Sequence, residues 1–145
     1  MINRKMLLAA CTLAGAAAFL PMHANASGAL AVGVTDNPRD GIAYGFAWNY
    51  KTEAEAREVV MRKCREYTQA PKANQNCRLI GSFSNGCFAL AFDPKSDSSG
   101  MGWAIAQTRS AARDGAMANC QDAAPPGRRE FCKIDNVRCD GDPND

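Results

Sequence analysis

The chain has 145 residues, 17 Lys+Arg against 15 Asp+Glu, seven cysteines and one histidine, His23. Arg4 and Lys5 lie in an apparent leader, so residues 27–145 hold 15 charges of each sign and are formally neutral. That balance argues against a phosphate-binding surface, hence against nucleic acid as a partner. A histidine confined to the leader excludes imidazole catalysis in the remainder.

In chain order, the basic pair is followed by an apolar run from Met6 to Leu20, then Pro21 and the small residues Ala24-Asn25-Ala26. This is the order of a secretory signal peptide, with cleavage expected after Ala26. The run is shorter than the roughly 20 residues a membrane-spanning helix needs. Leu8-Ala9-Ala10-Cys11 also matches a lipoprotein box, so lipidation at Cys11 is the minor alternative to soluble export. Periplasmic or secreted location is therefore expected, with a single domain over residues 27–145.

Residues 29–34 and 42–50 are short apolar and aromatic runs separated by Asp36-Asn37-Pro38-Arg39-Asp40-Gly41, the residue types of a hairpin loop. Thr52 suits a helix N-cap, with Glu55 completing a capping box. The helix is expected to reach about Tyr67, with Ala56, Val60, Cys64 and Tyr67 on its buried stripe. Pro71 ends it, and residues 77–83 form the next strand.

The same plan then recurs. Residues 87–92 and 101–107 are predicted strands around the polar 93–100 loop, Thr108 caps a helix to about Asp122, and residues 131–137 form the last strand. Gly115 weakens this helix by about 1 kcal/mol relative to Ala, which close packing on a sheet would explain. The halves, about 29–86 and 87–139, align as an internal duplication. Ala29-Leu30-Ala31 answers Ala89-Leu90-Ala91, Gly45-Phe46-Ala47-Trp48 answers Gly102-Trp103-Ala104-Ile105, and Thr52, Ala56, Met61 and Cys64 answer Thr108, Ala112, Met117 and Cys120. The expected fold is α+β: one antiparallel sheet of about six strands with two helices on one face.

Beyond Cys11 stand Cys64, Cys77, Cys87, Cys120, Cys132 and Cys139. An even count in an exported domain reads as three disulfides. Equivalence of the halves implies Cys64–Cys77 and Cys120–Cys132, leaving Cys87–Cys139 to tie the halves together. With no C-x2-C pair and no histidine, neither a metal site nor a cofactor is expected.

These motifs resemble the bacterial domain of unknown function 4189 family. The resemblance rests on Ala29-Leu30-Ala31, the Gly45 to Trp48 segment, the Thr52 to Cys64 helix, Asn85-Gly86-Cys87 before Ala89-Leu90-Ala91, then Gly102-Trp103 and Thr108 to Cys120. It covers about residues 29–139, with longer loops before Cys77 and Cys132 than the family pattern. It implies the fold and secretion, and transfers no catalytic residue.

Among other groups, Tyr44, Phe46, Trp48 and Tyr50 alternate along one strand and should share a face. Trp103 lies in the equivalent strand. This face either packs beneath the helices or forms an exposed platform for a partner, a role that suits aromatic residues. Glu53, Glu55 and Glu58 are the carboxylates to consider for glycosidase-type chemistry, but the acidic first turn of a helix explains them as well. Asp140-Gly141-Asp142 begins like a calcium loop yet lacks its later ligands, so a solvated acidic tail is expected, and the oxygens of the 93–100 loop read likewise. The leading functional expectation is a non-catalytic, exported module that binds another extracytoplasmic protein, as an inhibitor or immunity-type protein does. A small secreted enzyme using carboxylates on cell-wall glycan, and a structural accessory of an envelope complex, are the alternatives.

Overall fold

The computed structural model describes residues 26–142. Residues 1–25, with Cys11 and His23, and residues 143–145 lie outside the described residues, as do the expectations that rest on them.

Six strands and two helices follow in order: β1 Ser27–Gly33, β2 Ala43–Tyr50, α1 Glu53–Arg65, β3 Arg78–Ser84, β4 Cys87–Phe92, β5 Met101–Ala106, α2 Arg109–Ala123 and β6 Lys133–Cys139. Thr52 and Thr108 cap the helices, each hydroxyl accepting the N–H three residues on, from Glu55 and Ala111. Helix α1 stops before Tyr67, which leaves that ring free to turn toward β2.

The α+β class, the strand count, the two helices and the three bridges are as expected. The expected single sheet is instead two antiparallel three-stranded sheets, ordered β2-β1-β3 and β5-β4-β6. They stack, with α1 outside the first and α2 outside the second. The reason lies in how side chains alternate on the central strands. On β1, Ala29 and Ala31 face α1, whereas Leu30 and Val32 face the other sheet. All four are at most 1% exposed, so both faces of the strand are dry. A six-stranded sheet with helices on one face would leave Leu30, Val32 and Phe88 in water. Stacking two sheets buries them in a shared central layer.

Small residues on the outer faces let the helices lie close. A Cβ at Gly45 would collide with the Val60 carbonyl, and one at Gly102 with the Ala116 carbonyl, at equivalent points of the repeat. Gly115 does sit against the sheet, where an added Cβ would come 2.8 Å from the Ala104 methyl. The same helices blunt the outer edges of the sheets: Lys63 Nζ donates to the Phe46 carbonyl at 3.1 Å and Asn119 Nδ2 to the Trp103 carbonyl at 2.8 Å.

Cys64 pairs with Cys77, Cys120 with Cys132 and Cys87 with Cys139. The last bridge does not tie the halves together. Cys87 and Cys139 are register partners on β4 and β6, so the bridge closes the second sheet on itself. Among the described residues no disulfide crosses between the sheets, which are joined by the Asn85-Gly86 connection and by packing.

Candidate binding groove at the loop end

The aromatic strand does not pack beneath the helices, as one reading of it expected. Tyr44, Phe46 and Trp48 point away from α1 into the layer between the sheets, as does Trp103 from β5. Phe46 meets Phe88 of the opposite sheet at 5.1 Å between ring centroids, and the Arg138 guanidinium lies 5.5 Å from the Trp48 ring. These rings are half-buried. They pack beneath a second sheet rather than beneath a helix, and Tyr44 also borders a groove at the loop end. Tyr50 leaves the row altogether. Asn49 adopts a left-handed φ of 61°, the register with β1 slips there, and Tyr50 turns to the α1 side.

The carboxylates Glu53, Glu55 and Glu58 stand on the outer surface of α1. Glu53 pairs with Arg57 at 3.0 Å and accepts from the Ser82 hydroxyl at 2.8 Å. Glu55 and Glu58 border a shallow depression with Tyr50 and Arg62. Among the described residues no group of three or more His, Cys, Asp or Glu is placed to hold a metal ion.

The expected acidic tail is not solvated at its start. Asp140 is 8% exposed and accepts the Asn49 N–H at 2.9 Å through Oδ1, while Gly141 N–H donates to Asn49 Oδ1 at 2.7 Å. Burial raises the Asp140 pKa above the ordinary carboxylate value. Asp142 pairs with Arg109 at 2.9 Å.

A concavity lies at the opposite end, between the β1–β2 loop and the β4–β5 loop. It is an open groove of about 520 Å³. Val34, Ile42, Tyr44, Tyr67, Phe92 and Met101 supply its apolar lining. The Tyr44 and Tyr67 rings are 4.8 Å apart and tilted by 40°. Burial, then the hydrogen bond with Tyr67, pushes the Tyr44 phenol above its usual range, so it stays protonated.

Each loop bordering the groove is anchored to the segment that follows its own half's helix. In the first half, Asp40 accepts Lys72 Nζ at 3.0 Å and the Thr35 hydroxyl at 2.9 Å. These bonds lower its pKa, Lys72 contributing most. In the second half, Arg128 forks onto Asp93, with Nε to Oδ2 at 2.8 Å and Nη2 to Oδ1 at 2.5 Å. The Asp93 side chain is fully buried, and the Arg128 hydrogen bonds hold its carboxyl well below the usual carboxylate range. Arg128 in turn lies 4.1 Å from the Phe131 ring. The 93–100 loop is thus braced at its buried Asp93, while residues 94–97 and Ser99 are exposed, as expected of a solvated loop. Sequence reading missed this groove, although Lys72 and Arg128 occupy positions related by the same offset as the two helix caps.

The NMR structure of Rv1813c from Mycobacterium tuberculosis resembles this chain with a TM-score of 0.45 and 19% identity, covering 97% of this chain and 99% of that one. No curated protein matches the chain. The family described as Domain of unknown function (DUF4189) matches residues 27–139, nearly all of the described structure, and the chain belongs to that family.

Proposed function

We propose that the protein is an exported, non-catalytic binding module of the bacterial envelope, whose partner is another extracytoplasmic protein, as for an inhibitor or immunity-type protein. The observation that carries this reading is the loop-end groove: an apolar recess with braced walls, whose two buttressing carboxylates, Asp40 and Asp93, are already engaged by cations. A rigid recess suits recognition, because little ordering cost remains at the moment of binding. Carboxylates locked to Lys72 and Arg128 are poorly placed to exchange protons with a substrate. The N-terminal leader and three disulfides support an oxidising compartment.

The test is capture on the immobilised, oxidised protein from envelope and secreted fractions. The expected result is one stoichiometric partner that the reduced, unfolded protein fails to retain. Turnover of a cell-wall substrate, abolished by Glu or Asp substitution, would replace this reading with the enzymatic one.

A further inference from the structure

The side chains around the groove restrict what it can hold. Its polar groups are largely committed within the protein. The Ser99 hydroxyl donates to the Ala123 carbonyl at 2.6 Å, Ser98 Oγ accepts the Gly100 N–H at 3.1 Å, and the Thr35 hydroxyl serves Asp40. The charges are committed too, in the pairs Asp40–Lys72, Asp93–Arg128 and Lys95–Asp97. Among the described groove residues, the side-chain groups with donor capacity left for a ligand are the exposed Ser96 hydroxyl, the Gln69 amide nitrogen and the Lys95 ammonium, which spends one of its three donors on Asp97.

We infer that the groove receives an uncharged, apolar side chain carried on a protruding segment of the partner protein, seated between Tyr44, Tyr67 and Met101. This rests on the protein-binding reading above and adds the chemistry of the bound segment. Charge matching favours it, because a neutralised rim gains nothing from an ionic ligand, and burying an unpaired charge there is costly. A sugar is disfavoured for a related reason. Its hydroxyls could pair only with exposed groups such as Ser96, Gln69 and Lys95, and any hydroxyl buried against the rings without a partner opposes binding. A free hydrocarbon chain needs a more enclosed cavity to bury most of its surface. An apolar side chain on a protein loop suits an open groove, since the partner's own surface covers the rest. Two tyrosines on the floor are the residue type that dominates such contacts.

The test uses the oxidised, exported protein with isotope-labelled methionine and tyrosine, titrated by NMR with acetyl-Ala-Phe-Ala-amide. Acetyl-Ala-Asp-Ala-amide, acetyl-Ala-Lys-Ala-amide and N,N′-diacetylchitobiose run in parallel. The expected result is saturable shifts at Tyr44, Tyr67 and Met101 with the phenylalanine peptide and none with the other three. Ser96→Arg and Gln69→Glu change exposed residues and introduce opposite charges. Both should weaken the phenylalanine peptide about tenfold or more, with thermal stability unchanged, because either charge is desolvated by an apolar ligand. If one substitution strengthens binding of an oppositely charged peptide beyond that of the phenylalanine peptide, or if the disaccharide shifts these rings, the assignment is overturned. If no peptide shifts them while a captured protein partner still binds the Ser96→Arg variant, the groove assignment fails and the binding-module reading stands.

Discussion

Asp140 lies 91 residues from Asn49 in sequence and accepts its backbone N–H at 2.9 Å, clasping the end of the second sheet to the bulge in the first. The other carboxylate oxygen, Oδ2, is buried without a hydrogen-bond partner. A bulge in one half thus depends on a carboxyl that follows the last strand of the other, with no disulfide between the sheets among the described residues.

Because burial raises the folded-state pKa of Asp140, its neutral form is favoured in the folded protein. Its contribution is fully present below the ordinary Asp value of 3.8 and declines as pH rises through the raised folded value. Asp140→Asn keeps an acceptor for Asn49 and removes the charge. It should gain about 1 kcal/mol at pH 7 and nothing at pH 3. Asp140→Ala, which orphans the Asn49 N–H, should cost about 1–3 kcal/mol at both. Urea denaturation at the two pH values separates these outcomes.

The Asp93–Arg128 fork carries the opposite sign. Asp93 has a depressed folded-state pKa, so its contribution is present above 3.8 and is lost as pH falls below that value toward the folded one. Hydrogen exchange at the Lys95 amide, which donates to Asp93 Oδ1 at 3.2 Å, reports the loop directly. Arg128→Ala should accelerate that exchange about tenfold or more at neutral pH. Amides on β1 should be unaffected. Arg128→Lys should recover part of the protection, since a single ammonium cannot reproduce the fork.

The three bridges should differ in what they contribute. Cys87–Cys139 spans 52 residues, against 13 for Cys64–Cys77 and 12 for Cys120–Cys132. On the chain-entropy account, replacing the long-span pair by alanines should cost about 4 kcal/mol, and either short-span pair about 3 kcal/mol. Equal losses, measured by denaturation of the oxidised variants, would point to strain or residual unfolded-state structure as the controlling factor.

Gly45 and Gly102 provide a symmetric test of how closely the helices approach. Alanine at either site meets helix backbone, which cannot rotate away as a side chain can. Each substitution should cost about 1–3 kcal/mol, and thermal melts of the single variants check the size. A tolerated Gly102→Ala would mean that α2 can lift off its sheet without loss.

The sequence alone determined much of the local structure and the α+β class. Thr52 and Thr108 announced the helix starts, the polar runs before Ile42 and Met101 marked the hairpins, and the repeat implied the three cysteine pairs. These are short-range signals, because capping, turn chemistry and side-chain alternation act over a few residues. Only the tertiary structure decided what covers each face. Leu30 and Tyr44 are apolar whether a helix, a second sheet or a partner lies over them, and local periodicity cannot distinguish these. Nor does it register the left-handed conformation of Asn49 that turns Tyr50 from its row. Asp140 and Asp93 appear in sequence as ordinary loop carboxylates. They became buried because Asn49 and Arg128, distant in the chain, reach them once the layers stack and the loops fold back.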